Sequence, residues 1–150
     1  MIRLPGEASY IRQKQLERIT NPDRRKAFAF IVQATDPDPA VRDTFFQSLL
    51  EVENRSVEAW VIPALGYLNH FLRQEHALKY IRPALAELEE VQQTGDIFFP
   101  TSWISACLSG HNSRAAADSV ASFLQEHPSY EPLLKNKILQ AASHLQYTYR

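Results

Sequence analysis

The sequence predicts an all-α fold, because apolar residues recur at helical spacing and glycine is scarce. The clearest apolar stripe consists of Val57, Trp60, Val61, Ala64, Leu65 and Leu68. Its offsets of i, i+3, i+4, i+7, i+8 and i+11 place the apolar side chains along one face of a helix. Only 4 of the 150 residues are glycine, and no segment alternates between apolar and polar residues for long enough to predict a strand.

Three further stripes have the same period: Leu78, Ile81, Leu85 and Leu88; Ala116, Val120, Phe123 and Leu124; Leu134, Ile138, Ala142 and Leu145. Together with the helix-end signals they predict about eight helices, over residues 9–20, 22–35, 39–52, 56–70, 74–93, 100–109, 114–126 and 130–147. Pro63 and Pro83 fall inside apolar stripes. Each proline is expected to remove one backbone hydrogen bond and bend its helix without ending it.

The expected helix ends are marked by capping residues and glycines. Four side chains are predicted to cap helix N-termini: Asn21, Asp38, Ser113 and Ser129. Proline follows Asn21 and Asp38 directly, at a position where its missing N–H costs little. Gly95 and Gly110 are expected to end helices by adopting the left-handed conformation.

Pairing the predicted helices gives units of roughly 35–40 residues, the size of a HEAT or armadillo helix pair. The segment 36–42, which reads Asp-Pro-Asp-Pro-Ala-Val-Arg, resembles the start of a HEAT repeat. Short connections favour antiparallel neighbours. We therefore predict antiparallel helix pairs in an irregular HEAT/armadillo-like superhelix, with residues 1–150 as a single domain and a compact bundle as the alternative.

The composition argues against nucleic-acid and membrane partners. Hydrophobic residues make up 45% of the chain and charged residues 22%, and the formal net charge is −1. No strong positive field is available to attract nucleic acid or anionic lipid. No stretch approaches the roughly 20 apolar residues that a membrane-spanning helix needs.

No catalytic, cofactor-binding or metal-binding residue is predicted. The five histidines (His70, His76, His111, His127 and His144) form no H-E-x-x-H pattern, and the four glycines form no phosphate-binding loop. Cys107, the only cysteine, lies in an apolar run. A buried small hydrophobic residue is the favoured interpretation of Cys107, and a nucleophile is the alternative.

One loop is unusually apolar, the segment 95–103 with sequence Gly-Asp-Ile-Phe-Phe-Pro-Thr-Ser-Trp. We predict a possible domain-contact loop built from Asp96, Phe98, Phe99 and Trp103. Two interpretations are open. The aromatic residues either plug a groove between neighbouring helix pairs, or form a contact surface for another domain or ligand, where aromatic residues are enriched.

This loop, Thr94 to Pro100, followed by Trp103 and by the segment 108–111 (Leu-Ser-Gly-His), resembles the C-terminal region of bacterial aminopeptidase N-like zinc metallopeptidases. Three other segments are similar to the same family: 58–68 with 72–74 after it, 120–130, and 137–142. The four regions lie within residues 36–145 and keep the family's order and spacing. None of them is a catalytic motif.

The resemblance implies that this chain is the helical C-terminal domain of a larger, multidomain peptidase. In that family a separate catalytic domain carries H-E-x-x-H, a distal Glu ligand, G-x-M-E-N and the zinc ion. The implied function of this chain is non-catalytic: it would pack on the catalytic and other domains and limit the access of peptides to the active site. The zinc ion would be bound by the parent's catalytic domain. This chain would act on peptide substrates only indirectly, through their access to the active site. The alternative is a free-standing HEAT-like scaffold that binds a protein or peptide.

Overall fold

The computed structural model describes residues 1–147, whose regular structure is helical and contains no strand. The prediction of an all-α fold is confirmed. The chain divides into two compact units, Met1–Leu68 and Asn69–Arg150. The superhelical arrangement of helix pairs and the assignment of residues 1–150 to a single domain stay predictions.

The first unit contains four α-helices: α1 (Ala8–Arg18), α2 (Pro22–Ile31), α3 (Pro39–Leu49) and α4 (Glu58–Leu68). Short 3-10 segments lie at Pro5–Glu7, Val32–Thr35 and Val52–Arg55. The predicted caps are confirmed at two of these helices. The Asn21 side chain accepts hydrogen bonds from two N–H groups of the first turn of α2, and that of Asp38 accepts one from Ala40 at the start of α3.

The core of the first unit forms where α4 packs against α2 and α3. Val61, Ala64, Leu65 and Leu68 of the predicted stripe are buried. Two members of the stripe differ from the expectation. Trp60 is only half-buried and packs against Phe30 at a ring-centroid distance of 5.8 Å, and Val57 at the helix start is 38% exposed.

The second unit contains seven described helices: α5 (Gln74–Ala77), α6 (Ile81–Ala86), α7 (Leu88–Thr94), α8 (Phe99–Leu108), α9 (Arg114–Glu126), α10 (Pro132–Ala141) and α11 (Ser143–Tyr147). Helix α8 packs against α6, α7 and α10, and α9 packs against α6 and α11. The largest fully buried side chains of this unit are Ile81, Leu85, Leu88, Trp103, Ile104, Leu108, Phe123 and Leu134. Most of them come from the predicted stripes.

The two internal prolines have different effects. Pro63 lies inside α4, which continues from Glu58 to Leu68. The helix predicted over 74–93 is instead divided into α5, α6 and α7, with a 3-10 segment at Leu78–Tyr80 just before α6. Because Pro83 has no N–H, the carbonyl group of Lys79 lacks its i+4 donor, and the tighter 3-10 geometry occurs in the turn where that bond is missing.

The last predicted helix, over 130–147, also begins later than expected and is divided. Ser129 does not cap it. The carboxylate of Glu131 accepts a hydrogen bond of 2.7 Å from the N–H of Leu134, and Pro132 is the first residue of α10. A residue before proline is disfavoured in the helical conformation, so the helix begins after Glu131.

The predicted cap of α9 at Ser113 is confirmed, because the Ser113 hydroxyl accepts a hydrogen bond from the N–H of Ala116.

The glycines end helices for reasons other than a left-handed conformation. No described residue, glycine included, has a positive φ. Gly95 follows α7 in an extended conformation, with φ −101° and ψ −179°. A Cβ atom on Gly110 would lie 1.7 Å from the carbonyl oxygen of Asn69. Gly110 is therefore needed for the close approach of two backbone segments.

Candidate functional site

The apolar loop between α7 and α8 is organised by Asp96. Its Oδ1 accepts hydrogen bonds from the N–H groups of Phe98 (2.7 Å) and Phe99 (2.9 Å), and its carbonyl oxygen accepts from Phe99 as well. These bonds satisfy N–H groups at the start of α8 that have no intrahelical acceptor. Asp96 thus fixes the backbone where the chain turns from the loop into the helix.

Phe99 and Trp103 point into the core of the second unit. Phe99 is 2% exposed and Trp103 is fully buried, and their rings pack edge to face at 5.9 Å. The indole N–H of Trp103 donates a hydrogen bond of 3.0 Å to the carbonyl oxygen of Ala84 in α6. A buried indole needs such a partner, and this one ties α8 to α6. Phe99 and Trp103 are therefore buried, as in the interpretation in which the aromatic residues of the loop fill a groove between helices.

Ile97 and Phe98 point outward, and we call this pair the apolar tip. Ile97 is 80% exposed and Phe98 is 71% exposed, the two highest values among the exposed large hydrophobic residues described. Large apolar side chains that project together into water often mark a binding surface. Of the four residues predicted for the contact loop, Asp96 and Phe98 are exposed, and the hydrogen bonds of Asp96 position Phe98.

The surroundings of the apolar tip in sequence are acidic. Residues 83–113, from the middle of α6 to the cap of α9, contain four carboxylates and no lysine or arginine. The carboxylates belong to Glu87, Glu89, Glu90 and Asp96. Lys137 of α10 lies beside the first turn of α8, where its Nζ donates to the Thr101 hydroxyl over 3.1 Å.

Glu89 also affects a buried phenol in the same unit. Tyr130 is 9% exposed and donates a hydrogen bond of 2.8 Å to the carbonyl oxygen of Leu85. Burial raises the pKa of Tyr130, and the negative charges of Glu89 and Glu131 raise it further. Tyr130 therefore acts as a structural donor that ties the start of α10 to α6, and it is not available as a base at neutral pH.

A separate cleft in the second unit has a volume of about 590 Å³. It lies beside the 3-10 turn Phe71–Arg73 and opens against the N-terminus of α9. Its walls combine the exposed side chains of Phe71 and Leu72 with polar and charged residues: Arg73, Gln74, Glu75, His76 and Ser113. Gln74 fixes one wall, because its Oε1 accepts from the N–H of Asn112 over 2.9 Å.

A buried histidine lies close to the segment that Gly110 brings against Asn69. His111 is 1% exposed, and its Nε2 lies 3.0 Å from Oδ1 of the fully buried Asn69. Its Nδ1 has no hydrogen-bond partner among the described residues. Burial, and then the charge of His144, lower the pKa of His111 from 6.5 to about 4. His144 itself lies against the His111 carbonyl group, with 3.0 Å between Nε2 and that oxygen.

The burial of the only thiol and the placement of possible metal ligands bear on catalysis and metal binding by the described residues. Cys107 is fully buried, and burial raises the pKa of its thiol, so the reactive thiolate is disfavoured. Within residues 1–147 no group of three or more His, Cys, Asp or Glu side chains is placed to hold a metal ion. The described residues therefore do not fit the zinc ion that the resemblance implies for the parent's catalytic domain.

Two features were missed by reasoning from the sequence. Phe71 and Leu72, beside the cleft, are adjacent apolar residues in a short connection, which is the same signal that singled out the apolar tip. The pairing of His111 with Asn69 spans 42 positions and gives no local signal. Gly110, directly before His111, is the one hint that two backbone segments meet there.

Comparisons with known proteins give no assignment. No family model, curated protein or solved structure matches this chain. Among the helices of the described part of the chain, none is long and apolar enough to cross a membrane. The functional assignment therefore depends on the residues themselves and on the resemblance stated above.

Proposed function

We propose that this chain is a non-catalytic helical domain of an aminopeptidase N-like zinc peptidase, which packs on the catalytic domain and limits the access of peptides to its active site. The observation that carries the proposal is the ordered series of four segments between residues 36 and 145 that resemble the C-terminal region of that family. The all-α fold is compatible with such a domain.

The positions of the resembling residues give additional support. Trp103, Leu108 and His111 of the loop region are buried, as are Leu65 and Phe123 of two other segments. Residues that pack in a core are those on which a shared fold depends. Phe98, in contrast, is exposed within the same region, as expected for a residue that contacts another domain.

In this proposal the chain acts on peptide hydrolysis without chemistry of its own. Its one thiol is buried, burial lowers the pKa of His111, and no group of three or more His, Cys, Asp or Glu side chains among residues 1–147 is placed to hold a metal ion. Its effect on peptide hydrolysis would be steric, because a domain that covers the mouth of a cavity excludes long peptides more strongly than short ones.

The test combines the purified chain with the rest of the peptidase, the part that carries H-E-x-x-H. We expect the chain to bind that part and to lower the hydrolysis of long peptides relative to dipeptides. Alone, it should neither bind stoichiometric zinc nor cleave aminoacyl anilides. Peptidase activity that copurifies with the chain, and remains after a contaminating enzyme is controlled for, would refute the proposal.

A second candidate function is a free-standing HEAT-like scaffold, and the cleft beside Phe71 and Leu72 favours it. A volume of about 590 Å³ with mixed apolar and polar walls is within the range of small-ligand and peptide sites. A scaffold of this kind would bind a peptide without any catalytic partner. Its binding would weaken in a Leu72→Ser variant and would be unaffected by changes at Phe98.

A further inference from the structure

The connection between α8 and α9, residues 109–113, is anchored by the buried side chain of His111. Nε2 of His111 lies 3.0 Å from Oδ1 of Asn69, which is itself fully buried. The carbonyl oxygen of His111 lies 3.0 Å from Nε2 of His144 in the short helix α11. Because the imidazole of His111 is 1% exposed, it reaches water only when the connection moves away from these neighbours. The protonation of one side chain is thereby linked to the opening of the connection.

The same connection contributes to the cleft of about 590 Å³. Ser113 is one of the residues that line the cleft, and so is Gln74. The N–H of Asn112 donates to Oε1 of Gln74 over 2.9 Å and so joins the connection to the opposite part of the lining. If His111 left its buried position, the residues that follow it directly would move with it, and the bond between Asn112 and Gln74 would break. The shape of the cleft therefore depends on the burial of His111.

We propose that residues 109–113 act as an acid-sensitive latch, in which a proton taken up by His111 releases the connection and loosens the part of the cleft wall that contains Ser113. An imidazolium has two N–H groups, and each needs an acceptor. Nε2 of His111 faces Asn69, whereas Nδ1 has no hydrogen-bond partner among the described residues. Protonation leaves a buried, charged donor unsatisfied, and opening of the connection supplies it with water. The latch operates within this chain and does not depend on the peptidase assignment.

The charges around the connection favour the same direction. The charged and titratable side chains on the adjoining elements belong to His70, Arg73, Glu75, His76, Cys107, Arg114, Asp118 and His144. Burial, and then the charge of His144, lower the pKa of His111 from 6.5 to about 4. When the connection opens, the imidazole regains its ordinary pKa of 6.5 and binds a proton more readily. Opening is therefore favoured increasingly as the pH falls below 6.5.

The opening is expected to be local because few buried groups hold the connection. His111 is the one buried residue among residues 109–113. Helix α11, on which the connection rests, has only 5 residues. The large buried side chains of α6, α7 and α8 lie in the centre of the unit and remain packed when the connection moves. Segments with little buried apolar surface open at a lower free energy than the core.

The experiment measures amide hydrogen exchange by NMR in the full 150-residue chain at pH 7 and pH 5, corrected for the pH dependence of exchange in unfolded peptides. The reporter is the N–H of Asn112, and the reference is the N–H of Val91, which is bonded within α7. The key variant is His111→Gln, which does not titrate. Its matched control is His127→Gln, because His127 belongs to the same unit but is exposed. Thermal melts at pH 7 establish that both variants are folded.

In the wild type we expect the equilibrium constant for opening at Asn112 to rise about twentyfold from pH 7 to pH 5, the change that a pKa of 6.5 in the open state and about 4 in the closed state implies. Opening at Val91 should change far less. The rise at Asn112 should disappear in His111→Gln and persist in His127→Gln.

An equal rise at Asn112 in the wild type and in a folded His111→Gln variant would overturn the latch. So would an equal rise at Asn112 and Val91 in the wild type, because the whole unit would then open together. This second comparison needs no variant, so it decides the matter even if His111→Gln does not fold.

Discussion

Acidification should destabilise the second unit through His111. This side chain is 1% exposed, and its pKa is lowered from 6.5 to about 4 in the folded chain. The unfolded chain therefore binds a proton on His111 more readily than the folded chain does. It follows that the contribution of His111 to stability is fully present above pH 6.5 and is lost as the pH falls towards 4.

The size of this loss in stability follows from the change in the pKa of His111. Each pKa unit corresponds to about 1.4 kcal/mol, so a lowering from 6.5 to about 4 implies a loss on the order of 3 kcal/mol over the whole transition. The free energy of unfolding of a domain of this size is roughly 5–15 kcal/mol. One buried histidine would thus remove a substantial fraction of it.

The comparison that isolates His111 uses a His111→Gln variant, which keeps a side-chain donor for Asn69 and does not titrate. Urea unfolding of both proteins is followed by tryptophan fluorescence at several pH values between 7.5 and 4. Carboxylates and the other histidines titrate in both proteins, so their effects largely cancel in the difference. The wild type should lose stability relative to the variant as the pH falls.

A difference between the two proteins that is independent of pH would refute this reasoning, because His111 would then titrate alike in the folded and unfolded chains. A second check uses His144→Gln. The charge of His144 is the smaller of the two causes that lower the pKa of His111. Removing that charge should therefore raise the pKa of His111 part of the way back towards 6.5. The stability of the variant should then still fall on acidification, but over a narrower pH range.

Three further predictions concern packing, each measured as a change in the free energy of unfolding. Phe99→Ala should cost about 3–5 kcal/mol because the ring is buried, whereas the neighbouring Phe98→Ala should change stability by less than about 0.5 kcal/mol; similar values would contradict the orientation of the loop. Trp60→Ala should cost only about 1–2 kcal/mol, because that ring is half-buried. Gly110→Ala should cost at least about 2 kcal/mol through its backbone clash, and Gly66→Ala, with open space around it, should stabilise α4 by up to about 1 kcal/mol. Equal effects of the two glycine changes would show that the close approach at Gly110 is not required.

The helical class could be predicted from the sequence because it depends on local periodicity. The stripe of Leu134, Ile138, Ala142 and Leu145 is buried at all four positions. Breaks within helices were harder to predict. The effect of a proline depends on whether neighbouring residues compensate for the missing bond, and the sequence gives Pro63 and Pro83 the same signal although only the second lies next to a 3-10 segment.

The candidate site could be predicted only in part. The composition of the loop indicated that its aromatic residues pack against something, either the chain's own helices or a partner. It could not indicate that two adjacent aromatic side chains point in opposite directions, one into the core and one into solvent. Phe98 is 71% exposed and Phe99 is 2% exposed. The direction is decided by the Asp96 cap and by the start of α8 at Phe99, and neither the exact helix start nor that hydrogen bond can be read from composition. The cleft beside Phe71 depends on packing with the N-terminus of α9, which lies far along the chain.

The burial of Cys107 makes the chain a natural reporter of its own opening. It is the only thiol in the sequence, it lies in α8 at the centre of the second unit, and burial raises its pKa. A thiol-specific reagent can therefore modify the native protein only after α8 becomes exposed to solvent. The rate of labelling would report how often α8 opens, with no cysteine introduced into the sequence.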